Sequence, residues 1–361
     1  MSETPQLGKL GVQSAANGVK RTEIGGLNTL RFAAATCVVL SHGGEFPVSA
    51  YFSGHTGISR ILLGIYSCAF NGPAAVLVFF VISGFCIHYS FACGMPFRAI
   101  PFLTRRLIRI SIPVAAATLL ADMLGPYAKG GLYLVLWSLY CEMIYYVAYP
   151  FMRLIFVRTG LFLFTVALFL ISLGLIAVSW RTLYFQELPV LLTSLMMLPA
   201  WLAGCLLAET IANGSAIRVP GSMVLWRLGM WGYVTGAGLY FYHGWFKMGW
   251  PALLTPFYIF AFFWLLKEIQ HFKEHGTSAF LEWCGKWSYS LYLIHNIVIF
   301  ELLDFPGTQT LAWTIRVIAI LASSLAFYGL VEFPAHQLAR TAARRVTMYI
   351  PLEPWKKWPA K

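Results

Sequence analysis

The sequence predicts an all-α integral membrane protein with about ten transmembrane helices and both termini in the cytosol. Three observations lead there. First, 59% of the 361 residues are hydrophobic and 11% are charged, whereas a soluble domain carries about 25% charged residues. Such a chain lacks the polar surface needed to coat a water-soluble globule. Second, apolar runs of roughly the 17–25 residues that cross a bilayer recur along nearly the whole chain. Third, lysine and arginine segregate between alternate connections in the way that orients membrane helices.

The apolar runs are read as spans at 25–43, 72–93, 107–125, 131–152, 160–179, 187–208, 223–244, 250–267, 287–304 and 310–333. Within lipid every backbone N–H and C=O must find a partner inside its own segment, so runs of this length are helices. The stretch "ISRILLGIYSCAF", 58–70, is too short to span and reads as interfacial.

This division sets 20 basic residues on one side. They are Lys9, Lys20 and Arg21; Arg98, Arg105, Arg106 and Arg109; Arg153 and Arg158; Arg218 and Arg227; Lys267, Lys273 and Lys286; and Arg340, Arg344, Arg345, Lys356, Lys357 and Lys361. The other side keeps Arg60, Lys129, Arg181 and Lys247, and Arg31 and Arg316 fall inside spans. The richer side is cytosolic by the positive-inside rule. The same partition accounts for the net charge of +12 without a nucleic-acid partner; the bilayer is the partner that the sequence names.

The first residues are polar and lack the apolar core of a signal peptide. Residues 1–24 are expected to form a flexible cytosolic tail, 25–335 one membrane domain and 336–361 a basic cytosolic tail. The seven cysteines are odd in number, form no CxxC pair and lie mostly in apolar runs. They read as packing residues, so no disulfide frame, zinc site or other metal is expected.

Polar residues inside the spans carry the functional signal, because intramembrane charge is costly and usually faces a water-filled cavity. In "LRFAAATCVVLSH", Arg31 and His42 are eleven residues apart. On a helix that is three turns plus about 20° and a rise of about 16 Å, so they share a stripe. Arg106 and Arg109 share a face at the start of the third span; they are either topological anchors or a clamp for phosphate oxygens. Glu142 lies near the middle of the fourth span, with Ser138 one turn away as an expected hydrogen-bond partner. Ser288, Tyr292 and His295 stack on one face of the ninth. Glu332 closes the tenth just before Pro334, where it is suited to pair with the arginines. His88, His271 and His275 read as interfacial or solvated.

Six strings in order along the chain resemble motifs of the acyltransferase type 3 family of membrane acyl-CoA-dependent O-acyltransferases. They are "LRFAAATCVVLSH", "FFVISGF", "RRLIRISIP", "WSLYCE", "YSLYLIH" and "VEFP". The chain departs from the family pattern at Asn28, where an acidic residue is common, at Phe32 in place of glycine, and before the Phe79–Phe80 pair, where an aspartate is frequent.

The resemblance implies a multi-pass protein of a bacterial inner membrane that transfers an acyl group, typically acetyl. The donor would be cytosolic acyl-CoA and the acceptor a hydroxyl of a cell-surface, exported or lipid-linked saccharide. His42 would be the general base. Glu142, Arg31 and His295 would complete the catalytic group, and Arg106, Arg109, Arg31 and Glu332 would hold the donor. About 28 residues follow the last span, so a stand-alone form without the SGNH hydrolase-like domain of many relatives is expected, with glycan assembly proteins as possible partners. Mid-membrane polar residues also mark transporters, and a non-catalytic part in a polysaccharide assembly complex is the third reading. Reporter fusions test the topology: the C-terminus and the segment 268–286 are expected in the cytosol and the connections around Lys129, Arg181 and Lys247 outside, and an external C-terminus overturns it.

Overall fold

The computed structural model describes residues 24–48, 57–214 and 217–349. The expected tail 1–24 lies almost wholly outside this range, as does the end of the basic tail, with Lys356, Lys357 and Lys361. The described residues form fourteen α-helices. They are α1 (Leu27–Val39, continued by a wider π-type turn, Leu40–Gly44), α2 (Gly57–Cys68), α3 (Gly72–Ala92), α4 (Ala99–Leu124), α5 (Pro126–Thr159), α6 (Leu161–Val178), α7 (Val190–Ala212), α8 (Met223–His243), α9 (Trp250–Leu253), α10 (Phe257–His275), α11 (Ala279–Cys284), α12 (Ser288–Glu301), α13 (Gln309–Phe327, continued by a π-type turn, Tyr328–Glu332) and α14 (Phe333–Tyr349). Six stretches are long and apolar enough to cross a membrane: 57–92, 99–124, 126–159, 161–178, 190–212 and 309–348. This is a multi-pass, all-helical membrane protein.

Helical residues lie over each of the ten stretches read as spans, but those over 25–43, 223–244, 250–267 and 287–304 are not among the six, and several boundaries differ. The short α2, expected at the interface, packs on α8. The fourth connection on the basic side, 268–286, is itself largely helical, because α10 runs on to His275 and α11 follows after three residues. The ring of His271 lies 4.2 Å from that of His275, on the last turns of α10.

Helix starts follow local chemistry. Asn71 precedes α3 and accepts a hydrogen bond from the Ala74 N–H at 3.0 Å, with Pro73 in the first turn. Thr308 and Ser222 cap α13 and α8 in the same way, each satisfying one of the donors a helix start leaves open. The start of α1 has no local cap. Glu282 of α11 reaches across and accepts from the Gly26 N–H at 3.0 Å, the Thr29 N–H at 3.1 Å and the Thr29 hydroxyl at 2.7 Å. A carboxylate at a helix N-terminus is also favoured by the helix dipole. It ties the helix bearing Arg31 to the segment before α12.

The closest helix pair is α3 with α7. A Cβ at Gly84 would come within 1.9 Å of the Trp201 carbonyl oxygen, and one at Gly204 within 1.9 Å of that of Val81. Small residues at a crossing let two backbones touch where lipid offers no hydrophobic drive for association. This contact fixes α3, which carries Cys86 toward α1 and Ser83 toward α5. Gly204→Ala is expected to lower stability by about 1–3 kcal/mol, the cost of overpacking, measured as a lower unfolding temperature in detergent. An unchanged midpoint would show that the helices part without penalty.

Candidate active site

Two cavities meet in the helix bundle, and Val76 of α3 and Tyr292 of α12 line both. The first, of about 110 Å³, gathers Arg31 from α1, Ser83 from α3, Arg106 and Arg109 from α4, Glu142 and Tyr146 from α5, Tyr289 from α12, Lys286 before it and Glu332 after α13. The second, of about 250 Å³, is bounded by His42, Asn71, Trp137, Tyr184, Gln186, Tyr242 and Trp250. The first is cationic, and the second is aromatic and uncharged apart from the imidazole.

Arg31 donates to the Asn28 side-chain oxygen at 3.3 Å and to the Cys86 sulfur at 3.1 Å. The guanidinium of Arg106 lies 5.7 Å from the centre of the Tyr146 ring. Among the described residues, none of Arg31, Arg106, Arg109 and Lys286 forms an ion pair. Glu142 and Glu332 line the same cavity but stand beyond ion-pair distance of these cations. Arg106 and Arg109 share the cavity wall, as a spacing of three on a helix dictates.

Glu142 is placed differently from the sequence expectation. One of its oxygens accepts from the Ser83 hydroxyl and the Tyr146 hydroxyl, both at 2.5 Å, and Trp201 donates its indole N–H to Ser83 at 3.3 Å. Ser138 does not hold it. The Ser138 hydroxyl is 2.6 Å from that of Tyr292. Glu142 therefore faces the cationic cavity, held by α3 and its own helix, and touches neither imidazole. Glu332 is also satisfied locally, accepting from the Ser290 N–H at 3.1 Å and hydroxyl at 2.6 Å, with His336 at 3.5 Å. It lines the arginine-bearing wall without pairing with an arginine. His88, 1% exposed, is enclosed, 2.8 Å from the Tyr149 hydroxyl and 3.3 Å from Glu209. It belongs to the α3–α5–α7 packing and not to either cavity.

His42 and His295 are brought together across 253 residues. His42 Nδ1 lies 3.0 Å from His295 Nε2. His295 is fully buried, and its Nδ1 lies 2.7 Å from the Tyr292 carbonyl oxygen and 3.1 Å from that of Leu291. Carbonyls only accept, so in the neutral rings His295 Nδ1 carries the proton and its Nε2 accepts. His42 must then donate through Nδ1–H, and the lone pair of its Nε2 is left uncommitted. The hydrogen-bond network thus assigns the tautomer.

This pairing depends on a break in α1. The regular helix ends at Val39, and His42 (φ −101°, ψ 21°) and Gly43 (φ 96°, ψ 17°) leave helical geometry. A positive φ of that size suits glycine and strains any other residue. The stripe expected from a straight helix therefore holds for Arg31 but not for His42, whose ring reaches α12 instead.

The sequence reading did not single out Ser83, Tyr146 and Lys286 as site residues. Ser83 lies inside the quoted "FFVISGF" string and Tyr146 one turn after Glu142, so a helical-face count extended to both helices would have found them. Nothing local marks Lys286, which reaches the cavity from a connection. Among the described residues no three His, Cys, Asp or Glu side chains are grouped as a metal site would require.

Searches of curated proteins and of solved structures return no match. A family model described as an acyltransferase domain matches residues 24–331, a stretch that contains every residue of both cavities except Glu332. With most of its length matched and its motif residues gathered around two adjoining cavities, the chain belongs to the acyltransferase type 3 family.

Proposed function

We propose that the protein transfers an acyl group, acetyl in the simplest case, from cytosolic acyl-CoA to a hydroxyl of an exported or lipid-linked saccharide. The reading is carried by one observation: His42, backed by the buried His295, lines the aromatic cavity that adjoins a cationic one at Val76 and Tyr292. It takes ten membrane crossings, with the cationic cavity toward the cytosol, as the partition of basic residues supports.

The donor is strongly anionic, and Arg106, Arg109, Arg31 and Lys286 suit its phosphates, since guanidinium forks bind phosphate oxygens in pairs. Glu142, an acceptor held by two hydroxyls, suits the amide N–H groups of the pantetheine arm. The thioester then approaches the Val76–Tyr292 wall. From the other side, the aromatic rings and the Gln186 amide suit a sugar, which offers both apolar C–H faces and hydroxyls.

A sugar hydroxyl is a poor nucleophile at neutral pH and needs a base. His42 Nε2 takes the hydroxyl proton as the oxygen attacks the thioester carbonyl carbon. The C–S bond breaks as the tetrahedral intermediate collapses, and the imidazolium returns the proton to the leaving sulfur. The products are the acyl ester and free CoA thiol. His295 holds His42 in the required tautomer and shares the positive charge that forms on it, while the carbonyls of Leu291 and Tyr292 hold His295 in turn.

Transfer of radiolabelled acetyl from acetyl-CoA by the purified protein in detergent tests the reaction. His42→Ala is expected to lower turnover by about 10²–10⁴-fold, the range for general acid–base catalysis, while acyl-CoA binding persists. Full transfer by that variant would remove His42 from the mechanism. Arg106→Ala and Arg109→Ala are each expected to weaken acyl-CoA binding by about 1.5–3 kcal/mol, the worth of a charge-assisted hydrogen bond. Titration calorimetry that finds donor affinity unchanged in both would return these arginines to topological anchors.

A further inference from the structure

Arg316 is one of two arginines within the predicted spans, and the reaction described above gives it no role. It stands half-buried on α13. Its Nη1 donates to the Gly43 carbonyl at 3.2 Å and its Nη2 to the Leu302 carbonyl at 3.3 Å. One turn earlier on α13, the Trp313 indole N–H donates to the Gly44 carbonyl at 3.0 Å, and its ring meets Phe46 edge-on at 5.0 Å.

The three carbonyls share a significance. Gly43 and Gly44 follow His42 directly, in the segment where α1 abandons its regular ladder, and Leu302 is the residue that ends α12, the helix of His295. A helix end leaves carbonyls without intrahelical partners, and in an apolar surrounding each needs a donor. Here one guanidinium serves the end of the His42 helix and the end of the His295 helix at once.

We infer that Arg316, assisted by Trp313, is a positioning residue that sets the His42–His295 pair. The inference rests on the acyl-transfer reading for its effect on turnover, but its geometric content does not. The guanidinium suits the task because its fork presents two donors in a fixed plane to two separate elements, whereas a lysine ammonium is a single flexible point. The charge is not paired with a carboxylate among the described residues; it is spent on backbone, a usual partner for arginine inside a membrane. Neither Arg316 nor Trp313 lines either cavity, so both act through the backbone of residues beside the imidazoles.

The test uses the full-length protein with ¹⁵N-labelled histidine rings in detergent. In the wild type, two-bond ¹⁵N–¹H correlation is expected to report His42 protonated at Nδ1 and bare at Nε2. Arg316→Met is expected to replace that single tautomer with an exchanging mixture. It is also expected to lower kcat by about 100-fold, the cost of roughly 1 Å of misplacement, with KM for acyl-CoA within about twofold of wild type. Arg316→Lys recovers part of kcat. Trp313→Phe, which keeps the ring and loses the N–H, lowers kcat by about tenfold on the same reasoning, and it carries the same test if Arg316→Met fails to fold.

An unchanged ring spectrum in either Arg316→Met or Trp313→Phe overturns the positioning role, as does wild-type kcat. A raised donor KM at unchanged kcat also overturns it, by moving Arg316 to donor binding. Absence of any transfer by the wild type sinks the acyl-transfer reading instead, and the ring spectra still decide the positioning.

Discussion

A carbonyl left without a donor in an apolar interior costs several kcal/mol, and the end of α1 exposes such carbonyls where the helix breaks at His42–Gly44. Meeting that demand ties three helices together. Trp313 and Arg316 reach in from α13, and the same guanidinium fixes the end of α12. Once α1 and α12 are locked at this end, the histidines stand 3.0 Å apart and the wall at Tyr292 is set. The other end of α1 is held from outside too, by the Glu282 carboxylate. The helix that carries both Arg31 and His42 is thus fixed at each terminus by side chains from elsewhere in the chain.

The interior that results is divided by chemistry. Cations collect in one cavity, where carboxylates also occur but accept from hydroxyls and a backbone N–H rather than from the arginines. Glu142 accepts from Ser83 and Tyr146, and Glu332 from Ser290. Had these carboxylates paired with Arg106 and Arg109, the desolvated ion pairs would have left little charge for an anionic ligand. Tyr292 stands at the border with its hydroxyl bonded to Ser138 and to the Val135 carbonyl and its ring against Phe79. Bulk at this position separates a highly charged compartment from an aromatic one while leaving the two only a side chain apart.

Much of the candidate site was legible in the chain. Arg31, Arg106, Arg109, Glu142, His42 and His295 stand out because each sits in a run that otherwise excludes such residues, and expense in hydrocarbon makes them visible. Their partners were less legible. Ser138 is correctly spaced for Glu142 but bonds Tyr292, since a hydroxyl one turn away on the same helix competes with groups from facing helices that local spacing does not represent. The straight-helix stripe failed for His42 because the consecutive glycines after it permit a conformation that period counting assumes away. Arg316 was visible as an intramembrane charge, yet its partners are backbone oxygens, which carry no sequence signature.

Composition, the lengths of the apolar runs and the ordered motifs were enough to determine an all-helical membrane protein of this family, because burial in lipid leaves a chain few ways to satisfy its backbone. The polar residues in those runs were visible at the same stage, because such groups are rare and costly in hydrocarbon. Their pairing was decided in three dimensions. His42 meets His295 across 253 residues, Ser83 reaches Glu142 across 59, and Gly84 and Gly204 set the helix contact that allows the latter. Hydrogen bonds act over about 3 Å, so which donor meets which acceptor is settled by how helices cross and where they break, and a linear spacing rule reaches no further than its own helix.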